Sequence, residues 1–389
     1  MRHARLLPVL CVVALLAGCT GDPSTTATTS APTAAGSAPP VSSGPPPSAE
    51  PRTGTIVAEP VATGLDHPAT FVFASDGTIF YGERLTGEIR RIDPVTGTDT
   101  HVFTVPGVIG EATNEQGLVG LTVPPDFPAT PWLYAYASRK VGGKARDQIV
   151  RIKTTGGVSH TLQLVLDVKE ASVRHNGGRM LFGPDGMLYI VVGESYESWR
   201  AQDLTQNGGK VLRMTPGGQV PDDNPFPDSY AYAYGNRNSF GLAFDPKTGD
   251  LWETENGPEC NDELNRILPG RNYGWGPSET CVGDEPRDTN SDGPHPIQPQ
   301  LWYAPTIAPT GIAFCEGCGL GSAREGDLLF GSFDTGDIHE VRLSADRTRA
   351  VRDTTPFNHG TFVLSIERAP DGALYFSDGS GIFRLALQG

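Results

Sequence analysis

The run Arg174-His175-Asn176-Gly177-Gly178-Arg179 sets an imidazole between two guanidinium groups on a glycine-rich turn. Phe182-Gly183-Pro184-Asp185-Gly186-Met187-Leu188-Tyr189 follows at once and reads as strand, turn and strand. Imidazole ordinarily titrates closer to neutrality than any other side chain, and loops held by a rigid sheet are the usual seats of proton transfer. His175 is therefore read as a base. A lone histidine is more often a bland surface or core residue; the other loops give this one its weight.

Three further loops are rich in glycine, amides and oxygen ligands. The first, 114–120, carries Glu115. The second, 234–244, carries Arg237 and Asn238. The third, 255–265, carries Gly257, Pro258, Asp262 and Glu263, with Asn272-Tyr273-Gly274-Trp275 beyond it. Oxygen ligands with backbone carbonyls suit a hard cation such as calcium. A base beside a cation and an arginine suits removal of a hydroxyl proton while charge develops on an acceptor. Each residue also has a plainer reading. Arg237 could bridge sheets through loop carbonyls. Asp262 and Glu263 could hold a structural calcium or cap a turn. Tyr273 and Trp275 could fill space rather than stack on a sugar. Glu194 and Glu197 read as a solvated loop.

These loops need a scaffold, and the chain repeats one from residue 55 to 389. An apolar strand, an Asp-Gly turn or near equivalent, a second apolar strand and a strand ending in Arg-Ile or Arg-Leu recur six times. The copies begin near Phe71, Leu118, Met180, Gly241, Gly311 and Ser365. Short apolar runs punctuated by glycine signal antiparallel hairpins, and 48 Gly with 34 Pro argue against long helices. Six copies give roughly 56 residues each, enough for four strands and variable loops. The expected fold is all-β, a six-bladed β-propeller of four-stranded antiparallel sheets, in which each sheet buries its faces against its neighbours. A β-sandwich would not explain six copies. The strand at 55–62 is expected to close the ring by pairing into the last blade.

The set HNGGR, GNRNxxGLAF, ENGP…NDELN and NYGW, in this order and over about Val57 to Leu385, resembles the soluble pyrroloquinoline-quinone (PQQ) dehydrogenases of the glucose/sorbosone, or aldose sugar, dehydrogenase family. The resemblance implies an oxidoreductase using PQQ and Ca²⁺, which oxidises a sugar at C1 to the lactone and passes electrons to an external acceptor. It implies His175 as base, Arg237 and Asn238 against the quinone, Glu115 and Thr306 as further cofactor contacts, and the main-chain oxygens of Gly257 and Pro258 as calcium ligands. Asp262 and Glu263 stand as a possible second metal site. Two positions depart from the family: Asp334 stands where a Lys is usual and Leu364 where an Arg is usual. PQQ carries three carboxylates, costly to bury without cations; Arg174, Arg179, Lys210 and Arg84 are the substitutes at hand. The rival functions are a propeller binding module that has lost its cofactor and a calcium-dependent lactonase using a metal-bound water.

The N-terminus reads as an address. Arg2 and Arg5, an apolar run from Leu6 to Ala17 and Leu16-Ala17-Gly18-Cys19 resemble a lipoprotein signal over residues 1–18, with a lipid on Cys19. Residues 19–54, almost wholly Ser, Thr, Ala, Pro and Gly, read as a disordered tether. The expected location is the outer face of the bacterial cytoplasmic membrane, with the lipid as the sole membrane contact. Four cysteines remain in the repeated body, and an exported chain pairs them. Of three connectivities, Cys260–Cys281 with Cys315–Cys318 is favoured; a four-cysteine zinc site is the rival. A formal net charge of −15 with no basic run argues against nucleic acid as partner.

Overall fold

The computed structural model of the chain describes residues 54–154, 161–283 and 289–389. Cys19, the signal and nearly all of the tether lie outside them. The described chain forms six four-stranded antiparallel sheets, five of them simple meanders. Blades 1 to 5 occupy 68–104, 118–170, 180–234, 239–303 and 309–358. Blade 6 takes three strands from 365–388 and its fourth from Thr55–Thr63, which pairs antiparallel with Gly381–Gln388. The six-bladed propeller and its closing strand are as the repeats predict.

Asp-Gly turns recur because one geometry serves the blades. Gly77, Gly186 and Gly372 sit at φ +86°, +75° and +90°. The preceding aspartates, Asp76, Asp185 and Asp371, each accept a bond from the backbone N–H two residues on, at 3.0 Å. Glycine tolerates the left-handed conformation and aspartate supplies the Asx bond, so the pair fixes the hairpin.

The inner strands Pro68–Phe73, Leu118–Thr122, Met180–Phe182, Ser239–Phe244, Pro309–Phe314 and Ser365–Arg368 touch in succession, and the last touches the first. Between each pair of consecutive blades lies one apolar cluster. Phe80, Ile89 and Leu133 join blades 1 and 2, and Tyr189, Val211 and Leu251 join blades 3 and 4. The ring closes through Phe71, Tyr81 and Ile382 of blades 1 and 6.

A four-stranded meander places two kinds of connection at one end: those joining strands two and three, and those leading to the next blade. The loops of Glu115, His175, Arg237, Gly257, Thr306 and Asp334 are all of these kinds, so they share one face. The Asp-Gly turns occupy the other.

Ile56 of the closing strand is 4% exposed and packs in the cluster between blades 5 and 6. Ile56→Ala is expected to cost about 2–5 kcal/mol in urea unfolding, whereas Val61→Ala on the same strand, 41% exposed, changes stability by less than about 0.5 kcal/mol.

Candidate active site

His175 lies on the loop entering blade 3, in a left-handed conformation (φ +58°) and 5% exposed. Its backbone N–H donates to Glu115 Oε2 at 2.7 Å, and its Nδ1 lies 2.9 Å from Glu194 Oε1. An ionised carboxylate only accepts, so this contact assigns the proton to Nδ1 and leaves the Nε2 lone pair as the basic site. Tyr196 lies over the ring, centroids 4.4 Å apart, and is 54% exposed. Glu194 is no solvated loop residue. It is 2% exposed, and its second oxygen accepts the Tyr196 N–H. The Gly193-Glu194-Ser195 turn folds back on His175, which brings the carboxylate inward; a glycine is needed because a Cβ at 193 would stand 2.3 Å from the His175 carbonyl oxygen. Nothing in the spacing from 175 to 194 signals that return.

The same Glu115 Oε2 accepts Asn238 Nδ2 at 3.1 Å, so one oxygen ties the blade 1–2 loop to the blade 2–3 and 3–4 loops. Arg84 orders that first loop through the carbonyls of Glu111, Asn114 and Gln116. Arg237 stands beside this group, its carbonyl accepting the Glu194 N–H at 2.9 Å. Its Nη1 donates to the carbonyls of Asn256 at 3.0 Å and Gly257 at 2.6 Å, the plainer role foreseen for it, and Trp275 packs over the guanidinium at 5.3 Å. Burial lowers its pKa, while Glu194, Glu255 and Glu115 favour its charge. His175, Glu115, Asn238 and Arg237 therefore meet in one place.

The third loop divides its work. The Gly257 carbonyl accepts Arg237, and that of Pro258 accepts the Asn261 N–H at 3.2 Å. Asp262 is a backbone clamp: it accepts from Gly257 N at 2.9 Å and from Ile307 N and Ala308 N at 2.7 Å each. It thereby fastens the Thr306 loop to the Gly257 loop. Thr306 itself makes no hydrogen bond to the other candidates. Tyr273 is buried, bonded to Arg266 O and Leu268 N, and fills space as its plainer reading holds.

Glu253 and Glu255 face Asn265 and Glu263 across two strands of blade 4, so all four share one side of the sheet. All are buried, and burial raises the carboxyl pKa values, that of Glu255 to about 7. Their side-chain partners are amides: Asn236 on Glu253 and Glu255, Asn261 and Asn265 on Glu263. Asn236 Oδ1, Glu253 Oε2, Asn261 Oδ1 and Asn265 Oδ1 are buried without a hydrogen-bond partner among the described residues. No group of three or more His, Cys, Asp or Glu side chains converges as a metal site among the described residues. Both cysteine pairs are disulfides, Cys260–Cys281 and Cys315–Cys318.

Three of the four cations proposed to replace the missing Lys and Arg are committed elsewhere. Arg84 holds its loop as above. Lys210 Nζ is cradled by the carbonyls of Arg200, Ala201 and Gly208. Arg179 bridges blades, donating to Val119 O at 3.0 Å and Leu364 O at 2.7 Å. Arg174 is exposed and makes no hydrogen bond or ion pair among the described residues. Asp334 is exposed on the same face.

Residues 65–383 match the family described as Glucose / Sorbosone dehydrogenase. The chain is 30% identical over 344 residues to Aldose sugar dehydrogenase YliI of Escherichia coli, an alignment covering 82% of this chain and 89% of that protein. It is 32% identical over 246 residues to Quinoprotein glucose dehydrogenase B of Acinetobacter calcoaceticus, covering 55% of this chain and 51%, about half, of that relative. Among solved structures, the PQQ-bound form of Aldose Sugar Dehydrogenase from Streptomyces coelicolor superposes with a TM-score of 0.73 at 30% identity, covering 87% of this chain and 99% of that one.

Arg179 and Glu367 line a cavity of about 30 Å³ in the central channel. Burial pushes the Glu367 carboxyl up to about 7, against the favourable charge of Arg179. The folded value lies above the ordinary one, so the stability gained from the neutral acid is full below about pH 4.5 and lost as pH rises through 7. Urea titrations from pH 4.5 to 8 are expected to show this decline, with a smaller decline in Glu367→Gln.

Proposed function

The chain belongs to the Glucose / Sorbosone dehydrogenase family, and from that premise we propose that it is a PQQ- and calcium-dependent dehydrogenase that oxidises an aldose or related sugar at C1 to the lactone. The observation that carries this reading is the buried His175–Glu194 pair beside Arg237 on the loop face. Glu194 holds the imidazole in the tautomer whose Nε2 takes the C1 hydroxyl proton, and it stabilises the imidazolium that results. Tyr196, exposed over the ring, offers an apolar face to a pyranose. PQQ, when bound, supplies the two-electron acceptor. The residues that would hold it are Arg237, Asn238, whose Oδ1 is buried without a partner, Thr306 and Arg174. Arg237 is the charge placed to favour an anionic oxygen there.

The buried donor-less oxygens of Asn236, Glu253, Asn261 and Asn265, beside Glu263, have the chemistry of a hard-cation site. The carbonyls of Gly257 and Pro258 each keep a second lone pair for a cation nearer the loop face. The electron acceptor is proposed to be an external one, and the protein to be lipid-anchored through Cys19 outside the cell. A propeller that had lost its cofactor would fold alike, and the neutral Leu364 and acidic Asp334 favour that second reading.

Dye reduction with PQQ, Ca²⁺ and a sugar panel is the deciding assay. His175→Ala is expected to abolish it, and Glu194→Gln to lower kcat by about 10²–10⁴-fold with little change in thermal midpoint. Absence of both dye reduction and calorimetric PQQ binding refutes the enzymatic reading. Calcium at a hundredfold excess over its Kd is expected to stabilise the protein by about 2.7 kcal/mol, an effect removed by EDTA and diminished in Glu263→Gln; an EDTA-insensitive melting curve counts against the cation.

A further inference from the structure

Lys169, on the outer strand of blade 2, is 8% exposed, and Asp147 beside it is fully buried. They are cross-strand neighbours, as are Asp147 and Ser138, so the three side chains form one rung across blade 2. Ser138 Oγ donates to Asp147 Oδ1 at 2.6 Å, and Lys169 Nζ donates to Asp147 Oδ2 at 2.6 Å. Among the described residues the ammonium has one further partner, and it belongs to the next blade: Ser195 Oγ. Ser195 in turn donates its N–H to the His175 carbonyl at 3.1 Å, with its hydroxyl 3.4 Å from the same oxygen. Ser195 and Tyr196 lie at φ +61° and +59°, a region that serine and tyrosine rarely adopt. A neutral hydroxyl could have capped this turn. A buried ammonium, costly to desolvate, is instead neutralised by Asp147 and spent on it.

We propose that the Ser138–Asp147–Lys169 rung is a positioning unit for the base of the neighbouring blade, holding the 194–196 turn so that Glu194 meets Nδ1 of His175 and Tyr196 covers its ring. The inference rests on His175 as the base. It assigns the rung no contact with sugar or cofactor.

Ser195→Ala removes the acceptor and leaves the ion pair intact. In the wild-type protein without cofactor or sugar, ¹⁵N NMR is expected to show His175 as a single Nδ1–H tautomer, and in Ser195→Ala as a tautomer mixture at an unchanged thermal midpoint. In dye assays kcat is expected to fall roughly 10–100-fold with KM within about twofold. The double variant Lys169→Met/Asp147→Leu removes both charges together and should give the same loss, with no further loss when Ser195→Ala is added. A wild-type tautomer signal in Ser195→Ala, or losses that simply add, overturns the proposal. If the wild type oxidises no sugar, the tautomer signal still decides the positioning role, separately from the enzymatic reading.

Discussion

The blades cover their largely apolar faces only against their two neighbours, so each depends on the closed ring. The closing bond is the pairing of Thr55–Thr63 with Gly381–Gln388, which joins the two ends of the repeated body in one sheet. Closure fixes where every inter-blade loop begins. Loops separated by more than a hundred residues thereby meet: Glu115 and Asn238 lie 123 positions apart and share a hydrogen bond.

With the walls so determined, the loop face carries a density of polar groups that a loop alone would not sustain. Its order comes from oxygens that serve two masters. Glu115 Oε2 receives an N–H from one loop and an amide from another. Asp262 clamps three backbone N–H groups from two loops. Such bonds cost little where the surrounding sheets already hold the backbone, because the entropy of ordering has been met by packing. Through them His175 is fastened to Glu115, 60 positions away, and Arg237 to the carbonyls of Asn256 and Gly257.

The acidic side of blade 4 runs against this economy. Glu253, Glu255 and Glu263 are buried among amides, with no ammonium or guanidinium side chain hydrogen-bonded to them among the described residues. Desolvation drives them toward the neutral acid. The channel below repeats the theme more mildly, with Arg179, its pKa lowered to about 10, facing Glu367 across a small cavity. The cations that the loop face would use for a polyanionic ligand have been drawn into structural service, Lys210 on three carbonyls and Arg179 on two.

Much of this is written in local pattern. Period-two apolar runs and Asp-Gly turns repeat because strand pairing and the Asx turn are short-range, so six hairpin-based units, the ring and the loops bearing His175, Glu115, Arg237 and Asn238 follow from the chain alone. The outermost strands leave a weaker trace: Asp99–Thr104 and Ala350–Asn358 are largely exposed or half-exposed, and such a strand needs no apolar alternation. Three features were decided only in three dimensions. Glu194 turns inward because a glycine lets its loop fold over His175. Lys169 reaches Ser195 because blades 2 and 3 are packed side by side. Lys210 and Arg179 are withdrawn from the face by carbonyls that only the packed chain brings to them. Residue types set which charges exist; the packing of one sheet on the next set whom they meet.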